Sequence, residues 1–400
     1  MLFKISFRNL FRQKRRTFLT VFMMILGFTL MSFSVALSEG GYGIIIQSFT
    51  NAKTGHIQIY KENFIDVPNL YKTINNIENL IEKVKKKKAV VGVAPRILSG
   101  GLLSFKETSV GAAITAVDFN KEKEVSTLEK RIDRGRWFKS SGSYEVLVGK
   151  NIASILEVEL GSKIAIISQG ADGSISNDYF TVSAILKKNA FDDFQIYMDF
   201  KSAGEFLVLE GRAHKLVILL DDYEKSKMVA KTLQNDVPDK VTVAPWFEVE
   251  KEFYKGMQAD KQGNSILYII IGIVVAIGVL NTILMSFLER KREFGILKAI
   301  GTSPRNIFGQ IMVEAMLLCS LGIFGGLICS YFLNWYFSIH GIKFEEIEFG
   351  GIVLNEMMTT LQPLVFIIPT AIIFFSTLLV GLYPAIMAAR VTPVEAMRAN

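Results

Sequence analysis

The sequence has few of the residues that build catalytic and metal centres. Of its 400 residues, 2 are cysteine and 3 are histidine. Cys319 and Cys329 both lie inside one apolar run, so the polar part of the chain cannot carry a disulfide framework. No Cys-x-x-Cys pair occurs, and the histidines are far apart in sequence. We therefore expect no metal site, because clustered Cys and His ligands are absent.

The common nucleotide-binding and hydrolytic motifs are also missing. The sequence contains no G-x-x-x-x-G-K-[ST] loop, no G-x-G-x-x-G, no G-x-S-x-G and no H-E-x-x-H. A chain without the first of these cannot cradle ATP phosphates in the P-loop manner. We therefore predict a non-catalytic chain with no cofactor of its own, whose energy comes from a partner or a gradient.

The basic surplus of the chain lies beside apolar runs. The formal net charge is +7, which raises the question of nucleic-acid binding. Basic residues are concentrated in residues 1–17, 289–306 and 388–400, and each of these segments borders an apolar run. This is the positive-inside pattern of a membrane protein. We predict no nucleic-acid partner and place these three segments on the cytoplasmic side.

Four runs are long and apolar enough to span a bilayer as helices, which takes about 20 residues. They cover residues 18–37, 266–288, 307–339 and 363–387. The first is longer than the core of a signal peptide and lacks a good cleavage site, so we interpret it as a membrane helix. Four spans place both termini in the cytoplasm, with residues 38–265 and a short loop, 340–362, outside.

The large segment 38–265 is polar and mixed in pattern. Its period-two runs predict strands, which cover residues 55–60, 113–117, 145–149, 163–167, 179–186, 195–198 and 215–220. Apolar residues spaced by three and four predict a helix from Leu70 to Val84. We expect two subdomains, with the boundary between them near residues 118–144. We also expect the first and second spans to continue outward as a helical stalk. The predicted fold class is a membrane α-helical protein with four transmembrane helices and a large α+β extracytoplasmic domain between the first and second.

Glu314 is the one charged residue inside an apolar run. Ionisable residues in membrane helices are costly and usually functional. Glu314 lies about 10 Å into its span, at 1.5 Å per residue, and therefore close to the membrane interface. A single carboxylate without a relay is a poor proton path, so we favour a solvated or paired carboxylate at this position.

The cytoplasmic segment Glu289–Gly301 is short, charged and helical in pattern, and Gly301 suits a helix C-cap. Ile296, Leu297 and Ile300 give it an apolar edge that fits the groove of a cytoplasmic partner. The segment resembles the signature loop of the FtsX-like permeases, the membrane subunits of MacB-type ABC transporters. Other stretches resemble the family in the same order along the chain: 7–12 with 15–17, 54–59, 135–138, 145–149, 161–164, 383–385 and 388–398.

The resemblance implies a bacterial inner-membrane permease that works as a dimer, either with a second copy or with a homologous permease. Its cytoplasmic partner would be a dimer of P-loop ATPases, which bind the ATP and magnesium. Residues 1–17 would form an amphipathic N-terminal helix, and the stalk would transmit movement to the outer domain. The residues implied in docking on the ATPase, in the coupling helix, are Glu289, Arg290, Arg292, Glu293, Gly295, Ile296, Leu297, Lys298, Ala299 and Gly301.

Within this family, the length and the four spans resemble most the lipoprotein-releasing (Lol) permeases. That resemblance implies a lipoprotein substrate, whose lipid anchor enters a cavity between the first and second spans of the two permease halves before transfer to a periplasmic carrier. Helical spacing makes Met24, Phe28 and Met31 the candidates to line that cavity. The equivalent of the carrier-binding hairpin is short and lacks proline, which leaves open whether this chain contacts the carrier; its candidate contacts are Gln169, Asp172, Ser174 and Asn177.

Two other functions stay open at this point. One is MacB-like efflux of a peptide, drug or toxin, although that type of pump normally carries its ATPase in the same chain. The other is a non-transport regulator of cell-wall hydrolases, like the division permease of the family, whose outer domain is usually smaller. A neighbouring gene for a second permease, an outer-membrane channel or a hydrolase would discriminate between the three.

Overall fold

The computed structural model describes residues 6–9, 12–188, 191–238, 240–349 and 352–392. The chain divides into two compact units. The helical unit comprises Met1–Gly43, Gly256–Glu345 and Asn355–Asn400. The sheet unit comprises Ile44–Lys255 and Glu346–Leu354. The predicted terminal motif falls largely on residues 393–400, which lie outside the described residues.

The helices of the described chain run from α1 to α11: α1 (Lys14–Phe49), α2 (Ile77–Lys85), α3 (Glu122–Val125), α4 (Lys150–Leu156), α5 (Phe200–Phe206), α6 (Ser226–Gln234), α7 (Trp246–Val249), α8 (Lys251–Glu289), α9 (Lys291–Ala299), α10 (Pro304–His340) and α11 (Leu364–Arg390). A π-helical turn, Thr50–Thr54, follows α1. In the described part of the chain, 4 helices are long and apolar enough to cross a membrane, namely α1, α8, α10 and α11. The predicted four membrane helices are therefore confirmed.

Two of these membrane helices extend well past the apolar windows. Helix α1 continues to Phe49, and α8 begins at Lys251. Helix α10 begins at a Ser303 cap, whose hydroxyl accepts the Asn306 N–H, and Pro304 follows in the first turn, where a missing N–H costs nothing. Between α10 and α11, where a short loop was predicted, two strands pair as a hairpin, β11 (Ile342–Phe349) and β12 (Ile352–Met357), numbered after the ten strands of the sheet unit.

A 10-stranded mixed sheet forms the sheet unit, with the central path β10-β1-β9-β2-β3-β8-β5-β7-β4 and with β6 paired to β2 and β7. Its strands are β1 (Ile57–Lys61), β2 (Val90–Phe105), β3 (Thr108–Val117), β4 (Ile132–Gly135), β5 (Glu145–Val148), β6 (Lys163–Gln169), β7 (Ile175–Leu186), β8 (Gln195–Asp199), β9 (Lys215–Leu220) and β10 (Val241–Pro245). The pairs β3–β8 and β5–β7 are parallel, and the other pairs of this sheet are antiparallel. The predicted α+β class of this segment is confirmed.

Two hydrophobic cores lie along this one sheet. The first core packs α2 and α6 on β1, β9, β10 and the beginning of β2. The second core packs α4 and α5 on the end of β2 and on strands β3, β5, β6, β7 and β8. The chain therefore enters the second core at Ile97 within β2 and leaves it at Leu209. The predicted changeover near residues 118–144 is wrong, because that stretch lies between two strands that both border the second core.

The sequence patterns missed one long strand and misplaced one helix. Strand β2 has 16 residues and contains Gly92 and Pro95, which both argue against a central strand. It pairs with β9, and the register between the two strands shifts at a β-bulge between Val90 and Gly92. The helix predicted from Leu70 begins only at Ile77, because Asn76 adopts a left-handed conformation (φ 52°) and Ile74 pairs with Ala213 as a β-bridge.

Candidate coupling helix and membrane groove

Helix α9 coincides with the predicted coupling segment. Phe294 and Gly295 are buried, whereas Ile296 and Ile300 are 50% and 75% exposed. Gly301 follows with φ 98°, and the Thr302 N–H donates to the Leu297 carbonyl at 2.9 Å, which closes the helix as the C-cap prediction requires. The helix therefore has one face packed inside the unit and an exposed apolar face.

A buried ion pair joins the start of α9 to the membrane helix α10. The Arg290 guanidinium donates to the Glu314 carboxylate at 2.9 Å, and both side chains are about nine-tenths buried. The Asn9 amide donates to the same carboxylate oxygen at 3.0 Å. Glu314 is thus the paired carboxylate that its position near the interface favours, and it anchors the start of α9.

The N-terminal segment is tied to α9 and to the end of α8 by charge. Arg12 pairs with Glu293 at 3.0 Å, and Arg16 pairs with Glu289 at 3.2 Å. Partial burial opposes ionisation of Glu293, but hydrogen bonds from Arg290 and Arg12 outweigh it and lower the pKa of Glu293. Glu293 is therefore ionised at neutral pH and able to hold both guanidinium groups.

Lys298 ties the other end of α9 to α11. Its ammonium donates to the carbonyl of Ala389 at 2.6 Å and to that of Val391 at 2.9 Å. These carbonyls stand at the C-terminal end of α11, where the helix leaves acceptors without donors and a cation is favoured. Arg292 and Ala299 are exposed, and Leu297 is partly buried. Force applied to α9 would therefore reach the N-terminal segment, α10 and α11 together.

Helix α1 packs closely on α10 through glycines. A Cβ at Gly322 would lie 2.6 Å from the Cβ of Met24, and one at Gly326 would lie 2.6 Å from the Cβ of Phe28. Only glycine allows two helices to approach this closely. Met24, Phe28 and Met31, the predicted cavity residues, are each 0% exposed and are buried inside this one chain.

A groove of about 700 Å³ runs between α1 and α8, on another side of α1. Its apolar lining includes Leu19, Met23, Val274 and Ile277, which are 41–61% exposed. Its polar lining comprises Arg16, Thr20, Asn281 and Thr282. The hydroxyls of Thr20 and Thr282 are hydrogen-bonded, so the two helices meet at this end of the groove. These residues differ from Met24, Phe28 and Met31, whose role in a cavity stays a prediction, and no sequence signal distinguishes the two sides of a helix that is apolar all round.

Helices α1 and α8 stay paired beyond their apolar windows. Glu39 pairs with Lys261 at 3.0 Å, and the Asn264 amide donates to the Ser38 hydroxyl at 3.1 Å. In the sheet unit, the Phe49 and Phe253 rings stack with centroids 4.1 Å apart. Non-covalent contacts therefore join the two helices of the predicted stalk within the helical unit and again within the sheet unit.

The hairpin predicted to contact a carrier connects β6 and β7. Gln169 pairs with Ile175 across it, and the Asp172 carboxylate accepts hydrogen bonds from the backbone and hydroxyl of Ser174 at 3.0 and 2.6 Å. These bonds lower the pKa of Asp172. Asn177 lies on β7 opposite Ile167. The tip is thus an ordered turn, and its contact with a carrier stays a prediction.

No group of three or more His, Cys, Asp and Glu side chains in the described ranges is placed to hold a metal ion.

Two family models match the sequence. The one described as "MacB-like periplasmic core domain" matches residues 17–236, and the one described as "FtsX-like permease C-terminal" matches residues 265–393. Together they cover both units of the structure.

Curated relatives are similar to the chain at low identity. The macrolide export ATP-binding/permease protein MacB of Campylobacter jejuni is 22% identical, over 99% of this chain and 61% of its own length. The lipoprotein-releasing system transmembrane protein LolC of Xylella fastidiosa is 25% identical, over 77% of this chain and 78% of its own. The chain thus spans about three fifths of that MacB relative. The solved periplasmic region of MacB from Actinobacillus actinomycetemcomitans aligns with 52% of this chain and 97% of its own, at 14% identity and a TM-score of 0.38.

Proposed function

Because the chain belongs to the FtsX-like permeases with a MacB-like periplasmic core domain, we propose that it extracts lipoproteins from a bacterial inner membrane for transfer to a periplasmic carrier. The chain is an ABC transporter permease of the MacB/LolC type. Its two termini and α9 lie in the cytoplasm, and a separate pair of P-loop ATPases supplies the ATP and magnesium. A second permease, either another copy or a homologue, completes the assembly.

The contacts of α9 support its role as the element that receives force from the ATPase. Its exposed residues Ile296 and Ile300 suit a groove on a partner, and its buried side is tied to three other segments of the helical unit. An amphipathic helix commonly binds a partner by laying its apolar face into such a groove. A rigidly held helix passes on the movement of the ATPase rather than absorbing it.

The docking role predicts that a charge on the exposed face of α9 releases the ATPase. Ile296→Asp should lower ATPase co-purification at least tenfold, because an apolar contact would be replaced by a buried unpaired charge. Arg305→Asp, an equally exposed position at the start of α10, is the matched control and should retain the ATPase. Equal retention of the ATPase by both variants would contradict the docking role of α9.

The groove between α1 and α8 is the single observation that carries the choice of a lipid-anchored substrate. Its volume of about 700 Å³ falls in the roughly 300–1,000 Å³ range of ligand sites, and half of its lining residues have aliphatic or thioether side chains. An acyl chain gains about 0.8 kcal/mol for each CH₂ moved out of water, and an apolar groove beside the bilayer can receive it without exposing it to water. Leu19, Met23 and Ile277 would contact the acyl chain of the substrate.

Site-specific photo-crosslinking in native membranes tests this substrate class. A photoreactive residue at Ile277, in the groove, should capture acylated lipoproteins, whereas one at Leu379, a 66% exposed position on α11, should capture mainly lipid. Capture at Ile277 should fall when the ATPase turns over, since release empties the groove. Equal lipoprotein capture at the two positions, or none at Ile277, would refute the lipoprotein substrate.

Efflux of a peptide, drug or toxin is the second candidate. The alignment with the Campylobacter MacB protein covers 99% of this chain, which favours efflux over the regulation of cell-wall hydrolases. The same crosslinking distinguishes efflux from lipoprotein release: an efflux permease should show no lipoprotein at Ile277, and its deletion should sensitise cells to the exported compound without retaining lipoproteins in the inner membrane.

A further inference from the structure

A cavity in the sheet unit has the size of a small-molecule site. Its volume is about 490 Å³, and its walls come from β1, the loop after β1, the middle of β2, the end of β6, the start of β9 and the residues Val249 and Glu250. One side of the cavity is apolar and is formed by Phe64, Ile65, Pro68, Leu70 and Leu98. Sites that bind small organic molecules combine such an apolar surface with a few polar groups that orient the ligand.

Lys215 is the cationic group of this cavity. It also lines a smaller neighbouring cavity of about 210 Å³, with which the larger one shares Leu98. The smaller cavity is lined by three further cations, and each of them has an acidic partner: Arg96 with Glu122 at 2.6 Å, Lys53 with Glu250 at 2.9 Å, and Arg131 with Asp192. Within the part of the chain that the structure describes, the Lys215 ammonium has no ion pair and no hydrogen bond. Its charge is therefore opposed only without direct pairing, by Glu250, which also lines the larger cavity, and by Glu122.

Gln58 is the second polar group without its full set of partners. The residue is 1% exposed, and its side-chain amide donates to the Thr54 carbonyl at 2.9 Å. Its Oε1 atom accepts no hydrogen bond from the described residues. Because buried acceptors are normally satisfied, this oxygen marks the place for a donor group on a ligand.

We propose that this cavity binds a small amphipathic anion. The apolar body of the ligand lies against Phe64 and Leu98, its acid group pairs with Lys215, and a donor group such as an amide N–H approaches Gln58. An N-acylated amino acid is the simplest molecule with all three features. The proposal concerns the sheet unit alone and stands or falls independently of the transported substrate.

The electrostatics of Lys215 predict a pH dependence for binding. Burial, together with the cations Arg96 and Lys53, lowers the pKa of Lys215 to about 7, against the opposing charges of Glu250 and Glu122. Arg131, which lines the smaller cavity, pairs with Asp192, so the charges of these two residues neutralise each other. An anion pairs only with the protonated ammonium, so its affinity should be greatest below pH 7 and should fall above it toward the affinity for a neutral analogue.

Fluorescence titration of the full chain in lipid nanodiscs tests the site. The probes are dansyl-leucine, an amphipathic carboxylate, and dansyl-leucinamide, its neutral analogue, with protein-free nanodiscs as the blank. Wild type should bind the acid at least tenfold more tightly than the amide. Lys215→Met should lose that preference and bind both probes equally. Lys163→Met, an exposed lysine on β6, is the matched control and should behave as wild type.

The cavity itself is tested by filling it. Ser99→Trp places a bulky ring in the cavity from β2 and should abolish binding of both probes, with circular dichroism used to verify that the variant is folded. Binding to this variant, equal affinity for acid and amide in wild type, an unchanged preference in Lys215→Met, or no binding at millimolar probe would each overturn the proposal.

Discussion

Helix α1 has a closed side and an open side, and the two sides are built from adjacent residues. Met24 is 0% exposed and lies over Gly322 of α10, whereas Met23 is 41% exposed and lines the groove shared with α8. The two side chains have the same chemistry and neighbouring positions. What differs is the part of each side chain that meets the neighbouring helix: a Cβ at Gly322 of α10 would lie against the Cβ of Met24, whereas one at Gly278 of α8 would meet Met23 at its terminal methyl group. Adjacent residues of one membrane helix can therefore contribute to a closed and to an open surface.

The largest effect should come from breaking the closed side at Gly326. In Gly326→Val, the new Cβ would fall 2.6 Å from the Phe28 side chain, so α1 and α10 would have to separate. We expect a loss of about 3 kcal/mol of unfolding free energy, as for strong overpacking. Unfolding by sodium dodecyl sulfate titration measures it. Gly263→Val is the control, since a Cβ there meets nothing within 4 Å; an equal loss in both would contradict the close packing.

The pair Met24→Ala and Met23→Ala compares the two sides directly. Removing the buried Met24 side chain leaves a cavity and should cost about 2 kcal/mol of unfolding free energy. Removing the exposed Met23 side chain should change it by less than about 0.5 kcal/mol, as surface substitutions do. Titration with sodium dodecyl sulfate measures the free energy of unfolding of both variants. If the two costs were similar, the distinction between a closed and an open side would fail.

At the α9 end of the bundle, Arg290→Met should cost about 1.5 kcal/mol of unfolding free energy, because Glu314 would keep only its bond to Asn9 in a buried position. ATP hydrolysis by the assembled transporter should fall further than stability does, since α9 would lose its anchor. The double variant Arg290→Met/Glu314→Leu, which removes both charges, should recover stability but not coupling. Full recovery of coupling would show that the pair only stabilises the fold.

The smallest effect on the free energy of unfolding should come from Thr282→Val, at the open side of α1. This change removes one hydroxyl of the Thr20–Thr282 pair, and such bonds between membrane helices contribute about 0.6 kcal/mol on average. Thr20 keeps a bond to the Arg16 carbonyl, so no buried donor is left unsatisfied. A double-mutant cycle with Thr20→Val isolates the contribution. A coupling energy above about 1.5 kcal/mol would mean that this side is as tightly held as the other.

The sequence predicted the membrane helices and the helix α9 well because their signals are local. An apolar run, a basic flank and a terminal glycine each act within a few residues, and α9, α10 and α11 follow them closely. The position of Glu314 also indicated a paired carboxylate, but its partners Arg290 and Asn9 could not be inferred, since they depend on how three segments meet.

The features that failed depend on distant parts of the chain. Strand β2 contains Gly92 beside a β-bulge in its pairing with β9, and Pro95 pairs with Leu216 of the same distant strand, which no local pattern reveals. The helix predicted from Leu70 is shortened because Ile74 finds a β-bridge partner in Ala213. The cavity role of Met24, Phe28 and Met31 stays a prediction, and the glycines that bury Met24 and Phe28 within this one chain lie on another helix.

The glycines of α10 also constrain how the sequence can change over time. Since Phe28 fits only against a residue without a side chain at position 326, a larger residue at 326 has to be preceded or accompanied by a smaller one at 28. In an alignment of natural relatives, the side-chain volumes at these two positions should vary inversely, and those at 24 and 322 should do the same. Such paired substitutions would preserve, in the sequences themselves, a record of which helices touch.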